Sequence, residues 1–202
     1  MPRRIEFQVD PALDAAAEAF RHQGYGGTSI KTLERATGLS SGSLYNSFGD
    51  KDAIFHLVLE RYVNTIVAGR LTKHLAHEDR LEGLRALFMT LLDEPDGGSS
   101  GCLLTNTAVE FGPAQSQALA QLNRGFRLQE SSFLTAVEHV WPGRADARAI
   151  ARRLLVLYQG FLVLIRSGHP KEELREAIAF EFDNLKELPS QVPPPRDLAD
   201  HR

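Results

Sequence analysis

Apolar side chains recur at helical spacing along almost the whole chain, and no stretch alternates apolar and polar residues at the period of a strand. The pattern therefore predicts an all-α fold. The clearest stripe follows Asp50, which is placed to cap a long helix. The apolar members of this stripe are Ile54, Phe55, Val58, Leu59, Tyr62, Val63, Ile66 and Val67.

Before this long helix, the pattern indicates one ordinary helix and two very short ones. The first is predicted from Asp10, as its N-cap, to Gly24, and the short ones at about 29–37 and 41–48. Helices of two turns are unstable alone. Two of them joined through Gly38 therefore indicate a fixed arrangement, the helix-turn-helix, whose second helix enters the major groove of DNA.

Further helices are predicted along the rest of the chain, each ended by glycine, proline or both. A Gly-rich flexible loop is expected at 93–101, and a polar, Pro-rich tail at 189–202 that is predicted to be disordered. The predicted helices are 79–92, 103–111, 115–140, 146–167 and 171–188.

Composition narrows the class of protein. The chain has 202 residues, 43% of them hydrophobic, and a formal net charge of −3, which argues against nonspecific coating of nucleic acid. A single cysteine excludes an intrachain disulfide and favours a cytoplasmic location.

The longest apolar run, at 154–165, is shorter than the ~20 residues of a membrane helix. The polar N-terminus lacks the apolar core of a secretion signal, so no membrane association is expected.

The chain resembles TetR-type transcriptional regulators in the segment TSIKTLERATGLSSGSLYNSFGDKDAIF, residues 28–55. The resemblance extends from about Pro11 to Tyr62. The residues that agree with the family pattern are Gly24, Thr28, Ile30, Leu33, Gly38, Leu39, Ser40, Gly42, Leu44, Tyr45, Phe48 and Lys51. The resemblance implies an N-terminal three-helix DNA-binding domain, a larger helical ligand-sensing domain and a homodimer formed through the last two helices.

On this basis we expect a DNA-binding domain at 1–50, a ligand-binding and dimerisation domain at 51–188, and the tail at 189–202. The predicted function is a ligand-responsive regulator, most simply a repressor that leaves a palindromic double-stranded operator when a small-molecule effector binds. No cofactor, metal ion or enzymatic activity is predicted. The alternative is an all-α small-molecule-binding protein or enzyme in which the N-terminal helices are purely structural.

The residues predicted to meet DNA surround the second short helix. Asn46 is the candidate for base readout, because an amide pairs with N6 and N7 of adenine. Lys51, beside a helix N-terminus, suits a phosphate oxygen, with a solvated lysine as the alternative. Thr28 is expected to cap the first short helix and, in the family, to touch a phosphate. The full set is Thr28, Lys31, Ser40, Ser41, Gly42, Ser43, Tyr45, Asn46 and Lys51.

Charge in this region departs from the family pattern. Glu34 stands where a small alanine is usual, and 39–49 contains no charged residue, although family members often carry basic or imidazole side chains there. Phosphate neutralisation is therefore assigned to the cations around that segment, which are Lys51, Lys31, Arg35, and Arg3 and Arg4 of the N-terminal arm.

Aromatic residues of the middle helices are candidates for the ligand pocket that the resemblance implies. They are Phe88, Phe111, Phe126, Phe133 and Tyr158, and core packing is the alternative for each. Few buried charges are expected in this region, with Glu110 as the main exception. A mostly apolar, uncharged effector is therefore predicted.

Cys102 is included with the ligand-binding residues because of its chemistry. It opens a helix after a Gly-rich loop, a position that favours the thiolate form, so it is a candidate sensor of oxidants or electrophiles. The alternative is a small, packed apolar residue. His74, His77 and Glu78 lie close together in the sequence, but they do not make a complete set of metal ligands.

Overall fold

The structure is a computed structural model that describes residues 8–93, 100–112 and 117–189. Over these residues it contains helices and no strand, so the predicted fold class is confirmed. Arg3, Arg4, most of the predicted loop and residues 190–202 of the predicted tail lie outside the described residues. The helices are α1 Val9–Gly27, α2 Ile30–Thr37, α3 Ser41–Phe48, α4 Lys51–Tyr62, α5 Ala68–Leu75, α6 Arg80–Met89, α7 Leu103–Phe111, α8 Gln117–Val140, α9 Ala147–Arg166 and α10 Lys171–Lys186.

Helix α1 packs against α2 and α4 and closes the core of the N-terminal domain. Phe20, Leu33 and Leu44 bring α1, α2 and α3 together and are fully buried. Helix α1 starts earlier than predicted, because Gln8 rather than Asp10 is its N-cap. Its backbone breaks at the predicted residue, Gly24, where φ is 73° and ψ is 173°.

A π-helical turn, Val63–Val67, joins α4 to α5 in one helical run. Such a turn uses hydrogen bonds to the fifth residue rather than the fourth, which shifts the phase of the residues around it. Val63 and Val67 stay in the core, whereas Ile66 is exposed. The prediction of an unbroken α-helical stripe was therefore wrong at Ile66.

The second domain is built around α8, which packs against α6 and α9, while α10 packs against α6. Its centre is an aromatic cluster in which the ring centroid of Phe88 lies 5.1 Å from that of Tyr158 and 5.2 Å from that of Phe182. Helix α7 lies between this body and α1. In the described part of the chain, no helix combines the length and the apolar character needed to cross a membrane.

Candidate DNA-binding surface and effector cavity

Helix α3 is fixed at its N-terminus by two side chains. The hydroxyl of Ser40 accepts from the backbone N–H of Ser43 at 3.2 Å, which is a normal N-cap. The carboxylate of Glu34, on α2, accepts from the backbone N–H of Ser41 at 2.5 Å. This hydrogen bond ties the first helix of the motif to the second. It gives Glu34, which departs from the family pattern, a structural role.

The face of α3 that points away from the core carries the predicted residues. Tyr45 is 50% exposed, and Asn46 and Gly42 are also exposed, whereas Leu44 points into the core. A Cβ atom added to Gly42 would meet only the Ser40 hydroxyl, at 3.9 Å, so the backbone is open to solvent there. We call this face the α3 surface, and it consists of Ser40, Ser41, Gly42, Ser43, Tyr45 and Asn46.

Thr28 does not belong to this surface, and the prediction that it caps α2 was wrong. The N-cap of α2 is Ser29, whose hydroxyl accepts from the backbone N–H of Thr32. Thr28 is 0% exposed, and its hydroxyl donates to the carbonyl of Gly24 at 2.6 Å. The side chain therefore satisfies a carbonyl at the break in α1. Its contact with a DNA phosphate stays a prediction.

Lys51 is held in place by Tyr25 at the start of α4. Its ammonium lies 4.1 Å from the centroid of the Tyr25 ring, a cation–π contact. The Tyr25 hydroxyl donates to the carboxylate of Asp52. Burial, together with that hydrogen bond, raises the pKa of Tyr25 to about 12. The ammonium of Lys51 is therefore held in place by the Tyr25 ring. The side chain of Lys31, on α2, is exposed.

Glu110, near the end of α7, forms hydrogen bonds with the turn between α1 and α2. Its carboxylate accepts from the backbone N–H of Tyr25 at 2.8 Å and from that of Gly26 at 2.6 Å. At Gly24, where φ is positive, an added Cβ atom would come within 2.8 Å of the same carboxylate. The expectation of a buried Glu110 was wrong, because the residue is exposed and its hydrogen bonds go to the turn between α1 and α2.

Phe111 lies in the same contact between domains, away from the pocket predicted for it. Its ring stacks on Phe55 of α4, with centroids 5.7 Å apart and planes 9° apart, and meets Tyr25 at 5.1 Å. These contacts correct its assignment as a ligand-binding residue. Together with Glu110, they join α7 directly to the residue that positions Lys51.

A second set of hydrogen bonds joins the other end of α7 to α1. The carbonyl of Arg21 accepts from the amide of Asn106 and from the guanidinium of Arg166, each at 3.1 Å. The same two donors reach the carbonyl of Ser100, at 2.8 and 2.6 Å. Helix α7 is therefore attached to the DNA-binding domain near both ends.

Replacing Glu110 by alanine should release the turn between α1 and α2. The backbone amides of Tyr25 and Gly26 would lose a charged acceptor, so we expect their hydrogen exchange to become about tenfold faster. Hydrogen-exchange mass spectrometry of peptides covering the turn measures this. The matched change Glu78→Ala, at an exposed glutamate elsewhere, should leave the turn as it is, and unchanged protection in Glu110→Ala would show that the carboxylate does not hold the turn.

The second domain encloses a small cavity of about 30 Å³, the share of one water molecule in the liquid. Of the predicted ligand-binding residues, Cys102 and Tyr158 line it. Tyr62, which the sequence did not indicate, donates its hydroxyl to the sulfur of Cys102 at 3.7 Å. Burial raises the pKa of Tyr62. The role of Cys102 as a chemical sensor stays a prediction.

The other predicted ligand-binding residues do not line this cavity. Phe88 and Phe133 are fully buried in the aromatic cluster, with their centroids 6.2 Å apart, so core packing accounts for both. Phe126 is half-buried against the core. Helical spacing alone could not separate these core rings from Tyr158, because all of them face inward.

A chain of three polar side chains, buried at both ends and half-buried at Gln159, leads into the cavity. The hydroxyl of Thr105 donates to the amide oxygen of Gln159 at 2.7 Å, and the amide nitrogen of Gln159 donates to the amide oxygen of Gln129 at 2.9 Å. Gln129 lines the cavity. A glutamine inside an otherwise apolar helical run, at 159, was the sequence signal for this chain.

Two short, capped helices with an exposed polar face on the second define a helix-turn-helix DNA-binding protein. The family model described as "Bacterial regulatory proteins, tetR family" matches residues 12–58. The match includes all of α2 and α3 and most of α1 and α4, so the N-terminal helices of the chain are similar to those of TetR-family regulators.

Known proteins resemble the chain over most of its length. It is 27% identical over 182 residues to the HTH-type transcriptional repressor ComR of Escherichia coli strain K12, covering 84% of this chain and 85% of ComR. It is 24% identical over 184 residues to the repressor DhaR of Mycobacterium sp. strain GP1, covering 88% and 91%. A solved structure of the regulator CifR, a cysteine mutant complexed with a 26 bp operator, shares the fold, with a TM-score of 0.78 at 21% identity, covering 90% of this chain and 98% of CifR.

Proposed function

We propose that the chain is a homodimeric repressor that binds a palindromic operator through the α3 surface and is released by a small-molecule effector. The observation that carries this proposal is the exposed polar face of α3, capped by Ser40, tied to α2 by Glu34 and flanked by the positioned cation of Lys51. Asn46 reads a base, and Lys51 contacts a phosphate. Such a repressor acts in the cytoplasm, where its operator lies.

Apolar side chains left exposed on the last two helices support the dimer. Val156 and Val163 lie on one face of α9, and Phe180 on α10 is 70% exposed. Large exposed apolar residues on neighbouring helices are typical of interfaces between subunits. A two-fold dimer through α9 and α10 places two α3 surfaces on one side of DNA, so the operator is an inverted repeat.

Helix α7 couples effector binding in the second domain to operator binding in the first. The cavity is far smaller than the ~300–1,000 Å³ of ordinary ligand pockets, so an effector must widen it by moving the helices around it. Helix α7 begins next to Cys102 in the cavity wall and ends at Glu110 on the turn before α2. We assign DNA binding to 1–50, effector binding and dimerisation to 51–188, and no function to the tail at 189–202.

Selection of bound DNA from a random-sequence library tests the function directly. The full-length protein should enrich an inverted repeat, and Asn46→Ala should enrich the same repeat with relaxed preference at one position of each half-site. Absence of any enriched sequence would overturn the proposal and favour a small-molecule-binding protein without a DNA target.

Operator binding should depend only weakly on salt. The α3 surface has no charge, so few phosphates are neutralised by each subunit. Proteins with 6–10 phosphate contacts lose ~10³–10⁵ in affinity between 50 and 200 mM salt, and we expect a loss well below about 10³ here. Fluorescence-anisotropy titrations over this range measure the slope, and a steep one would show that other cations dominate binding.

A further inference from the structure

The polar chain in the second domain ends in an unused hydrogen-bond donor. Along it, Thr105 donates to Gln159 and Gln159 donates to Gln129, so the amide oxygen of Gln129 is occupied. The amide nitrogen of Gln129 has no hydrogen-bond partner among the described residues. Gln129 is only 3% exposed and lines the cavity. The nitrogen is therefore available to donate to an acceptor atom of a ligand in the cavity.

This cavity shares one lining residue with an open groove. The groove runs between α5 and α8 and has a volume of about 660 Å³. Its lining combines apolar residues, among them Leu75 and Leu128, with hydroxyl-bearing ones such as Thr72. Leu71 lines both the groove and the cavity, and is itself buried. Displacing Leu71 would join the two spaces into one elongated pocket that ends at Gln129.

The charges around this joined pocket do not favour an ion. Arg70 is the charged residue in the wall of the cavity, and its guanidinium already donates to the hydroxyl of Thr90 at 2.8 Å. In the lining of the groove, Arg80 and Glu138 carry opposite charges. Apolar surface along the joined pocket is supplied by Leu71, Leu75, Leu87, Leu91, Leu128 and Leu162, which suits an apolar body.

We propose that the effector is a neutral, elongated molecule with an apolar body and one hydrogen-bond acceptor, such as a ketone oxygen. It enters from the groove past Leu71 and accepts from the amide nitrogen of Gln129, while its body lies along Leu71, Leu75 and Leu128. This inference rests on the proposed function, since it names the effector class of the same regulator. It assigns Gln129 as the residue that recognises the effector and Leu71 as the residue that controls entry.

Binding of three nine-carbon probes to the full-length protein tests the ligand class. The probes are 2-nonanone, nonanoate and nonylammonium, which present a neutral acceptor, an anionic acceptor and a cationic donor, and calorimetric titration measures their affinities. We expect 2-nonanone to bind most tightly. Gln129→Leu should weaken it about five- to tenfold, the value of one neutral hydrogen bond. Gln121→Leu, the same change on α8 outside the cavity, should alter it by less than about twofold.

The role of Leu71 is tested by the rate of binding. Stopped-flow displacement of the dye Nile red by 2-nonanone should be several-fold faster in Leu71→Ala and slower in Leu71→Phe. The inference is overturned if nonanoate or nonylammonium binds more tightly, if Gln129→Leu binds 2-nonanone as wild type does, if neither Leu71 variant changes the rate, or if 2-nonanone does not bind at all. Binding of the selected operator is measured separately on the same proteins, so failure of the DNA-binding function is distinguishable from failure of this ligand class.

Discussion

Gly42→Glu should reduce operator affinity by about 100-fold or more while the protein stays folded. Gly42 lies in the first turn of α3 on its exposed face, where an added side chain meets nothing but the Ser40 hydroxyl. A carboxylate at this position would face the phosphates of the operator DNA. Like charges that face each other across an interface cost several kcal/mol of binding free energy. No cation lies within 39–49 to offset it. Fluorescence anisotropy with the selected operator measures the loss.

The control variant separates the effect of where the charge is added from the effect of the charge itself. Ser131→Glu adds the same charge on an exposed face of α8, and we expect it to change operator affinity by less than about threefold. Circular dichroism on both variants establishes that they are folded. If Gly42→Glu bound the operator as tightly as Ser131→Glu does, the α3 surface would not be the part of the protein that meets DNA.

Gly83→Ala should destabilise the protein by about 2 kcal/mol or more, although alanine is normally the better helix former by about 1 kcal/mol. A Cβ atom at Gly83, in α6, would lie 2.4 Å from the backbone carbonyl oxygen of His74 and 3.1 Å from the Cβ atom of His77. The first of these is backbone, which cannot move without shifting the end of α5. Urea unfolding followed by circular dichroism gives the change in free energy.

Gly69→Ala is the matched change, because Gly69 also lies within a helix and an added Cβ atom there has no neighbour within 4 Å. It should stabilise the protein by about 0.5–1 kcal/mol through helix propensity alone. A Gly83→Ala protein as stable as Gly69→Ala would mean that α5 and α6 do not pack as closely as the structure has them.

The DNA-binding helices could be predicted closely because their ends depend on local chemistry. The bounds of α3 agree with the prediction, since Ser40 caps one end and Gly49 follows the other. Asp50 caps α4 as expected, by accepting from the backbone N–H of Ala53. The wrong predictions concern residues whose positions are set by tertiary contacts. Thr28 shares the capping chemistry of Ser29 beside it, and only the break at Gly24 turns its hydroxyl inward.

The cavity of the second domain was harder to predict for the same reason. Spacing shows that a ring faces inward, but it does not show whether the ring meets a cavity, as Tyr158 does, or other rings, as Phe133 does. Glu110 is distant in sequence from the turn that it holds, so no local pattern relates the two. A polar residue inside an apolar helix, such as Gln159, is a sign that could have indicated this region, because an amide in the interior requires hydrogen-bond partners.

The π-helical turn between α4 and α5 makes the length of this part of the chain as important as its composition. Each residue advances an α-helix by about 100°, and a π-helical turn accommodates one additional residue without that rotation, so gaining or losing a residue elsewhere in α4 or α5 would rotate everything that follows by about that angle. Leu71 would leave its place between groove and cavity, although every side chain needed to build both would still be present. Substitutions in this segment are therefore expected to persist through evolution more readily than deletions, and relatives that keep the same pocket should also keep the same residue count between α3 and α5.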